Sequence, residues 1–235
     1  KNVALLHGLT GSGKTEIYVQ LIHQALESGS QVLLLLPEIA LTTQMVIRLK
    51  KIFGDKMGVY HSRFSDNERV EVWQSVRSGD YDFVVGVRSS IFLPFDNLGL
   101  IIVDEEHDTS YKQHEPAPRY NARDLAMVLA KMQGAKVLLG SATPAVESYY
   151  LAQKGVYGLV NLTQRYGDAQ LPEIVAVDIT KSRKEKRMQL EFSPELMDEI
   201  REGLSSAYRQ LRELLSTFRL QIDGTGLKGA LLDTV

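Results

Sequence analysis

The sequence predicts an α/β fold: a doubly wound, mostly parallel sheet with helices on both faces. Three observations predict it. Five short runs, residues 3–6, 32–36, 83–87, 100–103 and 137–139, are nearly continuous in Val, Ile, Leu and Phe, the pattern of strands buried on both faces. Segments of helical period stand between them. Each of the first two such segments is followed by a Gly, Gly29 and Gly54, where a helix C-cap belongs. Strand and helix alternating in this way build right-handed βαβ units, whose functional groups gather at the C-terminal ends of the strands.

The elements follow in order. Ile17, Leu21, Ile22, Ala25 and Leu26 recur at helical spacing after the first strand, and Val46, Leu49 and Phe53 do so after the second. Trp73 falls in a third helical pattern with Val70 and Val76 and is expected to pack in the core. Beyond residue 162 the pattern weakens. Residues 164–172 are polar, 174–177 are apolar enough for one more strand, and KSRKEKR (181–187) holds five basic residues and one Glu. That stretch is expected to be an exposed connector, with a basic clamp on nucleic acid as the alternative. Ser193, Pro194 and Glu195 supply an N-cap, a first-turn Pro and a first-turn acid for a helix to about Leu204. Tyr208, Leu211, Leu214, Leu215 and Phe218 then form an amphipathic stripe before the Gly-rich DGTGLKG. The expected organisation is a nucleotide-binding lobe over 1–163, a connector and the start of a second lobe over 164–204, and a tail over 205–235 whose origin the pattern does not explain.

Composition narrows the class. The chain has 235 residues, 27 Lys+Arg against 29 Asp+Glu for a net charge of −2, 44% apolar residues and no Cys. A chain of this length can bury roughly 70% of its unfolded surface and needs no staples. The missing cysteines exclude a disulfide scaffold, a thiolate zinc site and a cysteine nucleophile, and a reducing, cytoplasmic compartment fits. The longest apolar run, at 32–36, is far short of the ~20 residues a membrane-spanning helix needs. Neither an initiator Met nor a signal peptide precedes the first strand, as expected of a piece of a longer chain.

GLTGSGKT (Gly8, Leu9, Thr10, Gly11, Ser12, Gly13, Lys14, Thr15) matches the phosphate-loop pattern at every required position, with an apolar strand before it and an amphipathic helix after it. Backbone N–H groups at a helix N-terminus can wrap the β-phosphate of ATP. Lys14 can reach the β- and γ-phosphates, and the Thr15 hydroxyl can ligate Mg²⁺. The fourth strand pattern ends in Asp104, Glu105, Glu106 and His107. Asp104 there suits the Mg²⁺ shell and Glu105 the polarising of an attacking water, which favours hydrolysis over transfer to a small molecule. These residues predict a P-loop NTPase lobe, and their likeness to such lobes implies a RecA-like fold. His7, His23, His61 and His114 have no metal-ligand spacing.

The order GLTGSGKT, LLPEIALTTQ (35–44), GVRSSIFLP (86–94), DEEHD (104–108) and GSATPAVES (140–148) resembles the motifs of the superfamily 2 DExH helicases. DEEHD followed by SYKQ and RYNARDLA (119–126) is most similar to the bacterial replication-restart branch. The resemblance covers about residues 1–204. It implies that Lys14 and Thr15 bind nucleotide and Mg²⁺, that Asp104 binds Mg²⁺, that Glu105 is the hydrolytic base and that His107, Ser141 and Thr143 couple the nucleotide to motion. It implies contacts to DNA from Thr42, Thr43, Gln44, Arg88 and Ser89, and from an aromatic-rich loop with Tyr111, Lys112, Gln113, Arg119 and Tyr120. Arg and hydroxyl groups suit phosphate oxygens and read no sequence.

The same resemblance implies a 3′-to-5′ helicase in primosome assembly, with single-stranded and forked DNA, primosome proteins and single-strand-binding protein as partners. Zinc belongs to full-length members; its cysteines are absent from this chain. So is any recognisable second lobe with its arginine. Plain helix caps at 42–44, 88–89 and 141–143, an ordinary strand-end histidine at 107 and a ligand-free loop at 109–121 stay open on the residues alone. So do another P-loop phosphotransferase and a non-catalytic binding module.

Overall fold

The computed structural model describes residues 1–61, 64–164 and 175–217, with side chains to residue 210. Contacts divide the chain into two compact units, residues 1–170 and 171–235.

In the first unit seven strands form one sheet: β1 (Val3–Gly8), β2 (Gln31–Leu35), β3 (Met57–Tyr60), β4 (Phe83–Gly86), β5 (Leu98–Asp104), β6 (Lys136–Ser141) and β7 (Gly158–Leu162). Their order is β3-β4-β2-β5-β6-β1-β7, and every pairing is parallel. The five aliphatic runs are the five inner strands. β3 and β7 are the edges, which the sequence pattern does not single out. An edge strand is covered less, so its sequence need not be continuously apolar, and Leu159 and Val160 of β7 are indeed exposed.

Two cores flank the sheet. On one face α1 (Lys14–Glu27) and α2 (Thr43–Phe53) bury Tyr18, Val19, Ile22 and Leu49 against Leu34, Phe83 and Ile102. On the other, α3 (Asp66–Ser78), α4 (Ala122–Gln133) and α5 (Val146–Gln153) bury Val72, Val76, Ala126 and Ala152 against Leu33, Ile101 and Leu139. The stripe of α3 is 72/76 and not 70/73/76. Trp73 is 39% exposed and lies beside the Arg77 guanidinium, 5.5 Å from its ring centre. The expectation that Trp73 packs in the core is thus corrected by one helical position.

In the second unit α6 (Ile179–Lys184) takes up part of the basic stretch, and α7 (Pro194–Thr217) begins where the cap sequence places it, with Ser193 Oγ accepting from Leu196 N–H at 3.3 Å. α7 runs through Ser205 without interruption, past the expected helix end at about Leu204. Residues 175–177 form no strand. Most of the polar stretch 164–172, Ile174, Phe218, DGTGLKG and the side chains of Leu211, Leu214 and Leu215 lie outside what is described. Among the described residues no helix is long and apolar enough to cross a membrane.

The strand order decides where the chemistry falls. β5, β6 and β1 are neighbours, so the loops leaving their C-terminal ends, GLTGSGKT, DEEHD and GSATP, emerge side by side.

Candidate nucleotide and nucleic-acid sites

The phosphate loop turns sharply between β1 and α1. Gly11 and Gly13 take positive φ values of 76° and 87°, a backbone region that costs a side-chain-bearing residue ~1–2 kcal/mol. The loop lines a cavity of about 710 Å³ together with Glu16, Arg48, Asp104 and Glu105. Lys14 is buried to a side-chain exposure of 10%, and its ammonium donates to the Gly8 carbonyl at 2.9 Å and stands 3.8 Å from Glu105 Oε1. Ser12 Oγ is buried and has no hydrogen-bond partner.

Asp104 ends β5. Its Oδ1 accepts from the Tyr18 hydroxyl at 2.7 Å. Burial raises its pKa, opposed by that hydrogen bond, by another from the Glu105 backbone and by the charges of Lys14 and His107. Glu105 sits at φ +45°, a left-handed conformation rare outside glycine, with its side chain 35% exposed. Its Oε2 lies 3.7 Å from His107 Nδ1. That nitrogen is also 2.8 Å from Ser141 Oγ, which accepts from Thr143 N–H at 3.0 Å, and Thr143 Oγ1 is 3.4 Å from His107 Nε2. Lys14, Glu105, His107, Ser141 and Thr143 therefore form one connected chain from phosphate loop to GSAT. Ser141 and Thr143 bond to the histidine as well as turning the backbone, which a plain cap would not do.

Glu106 is a residue that motif reasoning leaves without a role. It is buried, and its carboxylate accepts from Ala145 N–H at 2.6 Å, Ser148 Oγ at 2.9 Å and Arg123 Nη1 at 3.2 Å. A buried carboxylate needs such partners. It ties the end of β5 to the starts of α4 and α5.

The two blocks LLPEIALTTQ and GVRSSIFLP meet because β2 and β4 pair; Leu36 N–H donates to the Gly86 carbonyl at 2.9 Å. Thr42 and Thr43 line a second cavity, of about 440 Å³, with Glu38, His61 and Val87. Thr42 also caps α2, accepting from Met45 N–H at 3.3 Å, and Gln44 is exposed. Arg88 and Ser89 occupy a half-buried turn, with Arg88 donating to the Ser110 carbonyl at 3.1 Å.

The aromatic loop is divided. Tyr111 is 1% exposed, and its hydroxyl donates to the backbone carbonyls of Leu35 and Asp104. A ring so placed has no face open to a base, so the expectation that Tyr111 contacts DNA is corrected: it fixes the ends of β2 and β5. Tyr120 is instead half-buried, packed on the edge of the core. It meets the exposed Phe92 edge to face at 4.9 Å and is hydrogen-bonded to Arg88. Lys112 donates to the Arg119 carbonyl at 2.7 Å, and Arg119 pairs with Glu115 at 3.2 Å. Gln113 donates to the carbonyls of Pro116 and Pro118. Phe92 is a second residue that motif reasoning passed over; its only signal was an aromatic inside GVRSSIFLP.

A family model described as DEAD/DEAH box helicase matches residues 1–150. The chain belongs to the DEAD/DEAH box helicase family. Membership implies nucleotide binding. Among curated relatives, the replication restart protein PriA of Bacillus subtilis is 47% identical over 86% of this chain and 25% of its own length. The protein of the same name from Haemophilus influenzae is 45% identical over 89% of this chain and 28% of its own. The chain thus spans about a quarter of the relatives it matches. Among solved structures, RecG bound to a three-way DNA junction superposes with a TM-score of 0.53 at 25% identity, covering 78% of this chain and 24% of that one. The Hef helicase domain of Pyrococcus furiosus gives 0.52 at 20% identity over 69% of this chain and 34% of its own, a likeness of fold. The α/β architecture expected from the motifs is the one these solved structures share.

Proposed function

We propose that the chain is the ATP-binding and hydrolysing lobe of a cytoplasmic 3′-to-5′ DNA helicase that acts in primosome assembly and the restart of stalled replication forks. The observation that carries this reading is the connected series Lys14, Glu105, His107, Ser141 and Thr143. A binding module has no need of a half-buried carboxylate held between the phosphate-loop lysine and a relay to the next motif. The fork-restart role and the polarity rest on the motif likeness and on relatives that share the name of a replication restart protein.

The donor set fits Mg²⁺: a carboxylate at 104, a hydroxyl at 15 and an unsatisfied buried hydroxyl at 12 are hard oxygen groups beside the same loop. When bound, the ion neutralises charge on the β- and γ-phosphates. Lys14 exchanges its bond to the Gly8 carbonyl for the phosphates. Glu105 orients the attacking water and accepts its proton. With the proton on Nδ1, His107 can donate to Glu105 or to Ser141 Oγ, which has a second lone pair beside its bond from Thr143, so a shift of Glu105 on hydrolysis reaches GSAT through the imidazole.

On the nucleic-acid side, Thr42, Thr43 and Gln44 with Arg88 and Ser89 contact backbone phosphates, while Tyr120 and Phe92 offer ring faces to unpaired bases and Lys112 and Arg119 add charge. Primosome proteins and single-strand-binding protein are the expected protein partners. The test is binding of ATP to the chain with a Lys14→Ala control, followed by fork unwinding by the full-length protein. Lys14-independent nucleotide binding would overturn the reading.

A further inference from the structure

Tyr18 lies where three motifs meet. It sits on α1 one turn after Lys14, and residues four apart share a helix face. Its hydroxyl donates to Asp104 Oδ1 at 2.7 Å. Asp104 and Gly140 are register partners across β5 and β6, and a Cβ on Gly140 would collide with the Tyr18 hydroxyl. Gly140 has no positive φ to require glycine. Its lack of a side chain is needed for space, and the atom that takes the space is the one that holds Asp104.

Packing alone does not ask for this arrangement. The neighbouring buried positions of α1, Val19 and Ile22, are aliphatic, and a Phe or Leu at 18 would fill the same face without burying a hydroxyl. An ordinary phenol hydroxyl keeps its proton at neutral pH, so it can donate to a carboxylate there. A glycine in a strand interior weakens the strand. Here that weakness accompanies an oriented carboxylate.

We infer that Tyr18 is a positioning residue: its hydroxyl fixes the Asp104 carboxylate, so that α1 sets the phosphate and the metal subsites as one rigid body and the affinity for Mg²⁺ depends on Tyr18. The inference rests on the nucleotide-binding reading above. Partners that orient metal ligands are typically worth 10–100-fold in metal affinity or activity.

The experiment titrates Mg²⁺ into the chain with a fluorescent ADP analogue and reads the Mg²⁺ midpoint for analogue binding. Tyr18→Phe, which keeps the ring, is expected to raise that midpoint about 10-fold and to leave the affinity measured in EDTA unchanged. Gly140→Ala, which crowds the hydroxyl off Asp104, is expected to shift it in the same direction, and the double variant no further than the larger single. A Tyr18→Phe midpoint within about twofold of the parent, with only a lower melting temperature, would make Tyr18 a packing residue and overturn the inference. Lys14→Ala separates the two readings, because it should lose the analogue at every Mg²⁺ concentration. Retained binding there overturns the nucleotide site itself.

Discussion

Glu105 combines a left-handed backbone with a side chain between a lysine and a histidine. Holding a non-glycine residue there costs ~1–3 kcal/mol, a strain that persists only where the surroundings impose it. Glu105→Gln keeps the shape and removes the base. We expect it to leave ATP affinity within a few-fold of the parent and to lower the ATPase rate of the full-length protein by about 10²–10⁴, read as phosphate release under saturating ATP. The tyrosines of the aromatic loop separate in the same residue-by-residue way. Tyr120→Ala and Phe92→Ala should each weaken single-stranded DNA binding by ~1–3 kcal/mol, measured by fluorescence anisotropy, with the melting temperature unchanged for the exposed Phe92 and lowered less for the half-buried Tyr120 than for Tyr111. Tyr111→Ala should instead destabilise the fold by ~3–5 kcal/mol, as loss of a large buried ring does, because its ring and hydroxyl are internal. Equal DNA defects and no loss of stability for Tyr111→Ala would reverse that division.

At the scale of elements, β5, α4 and α5 are locked through one carboxylate. Glu106 holds Arg123 at the start of α4 and the Ala145 N–H and Ser148 hydroxyl at the start of α5. Removing one partner of a buried pair leaves the other uncompensated, at ~3–5 kcal/mol. Glu106→Ala should lose that much in urea unfolding, and Glu106→Gln less, since the amide oxygen still accepts. This clamp was not legible in the sequence, and the reason is physical. Periodicity reports which faces are apolar, so β1, β2, β4, β5 and β6 could be read from their runs of Val, Ile and Leu. A buried Glu or a phenol donor such as Tyr18 depends on which strands become neighbours. Spacing motifs placed Lys14, Asp104 and Glu105, because the phosphate loop and a strand-end carboxylate pair are local patterns. They could not tell Tyr111 from Tyr120, which stand in one loop with no repeat to mark inside from outside. The one-position error at Trp73 has a similar origin: Val70, Val72, Trp73 and Val76 offer two helical stripes, and only the sheet beneath α3 chooses between them.

For the whole molecule, the question is what a lobe can do without its counterpart. The described residues lining the nucleotide cavity include two cations, Lys14 and Arg48. Arg48 stands 3.9 Å from Glu16 and both are largely exposed, so it is part of a solvated surface pair, which contributes little. Phosphoryl transfer draws its rate from charge placed around the γ-phosphate, and an arginine supplied from another body is worth about 10³–10⁵. The curated relatives are more than three times as long as this chain, and by motif likeness that arginine belongs to a second lobe. The chain alone should therefore bind ATP through Lys14 and turn it over at least ~10³ more slowly than the full-length protein. Single-stranded DNA should accelerate only the latter, because in the proposed function the Tyr120 and Phe92 face engages DNA on one lobe whereas closure around ATP takes two. Phosphate release by both proteins, with and without DNA, decides it. Full-speed, DNA-stimulated turnover by the chain alone would mean that a second copy, or Arg48 itself, completes the site.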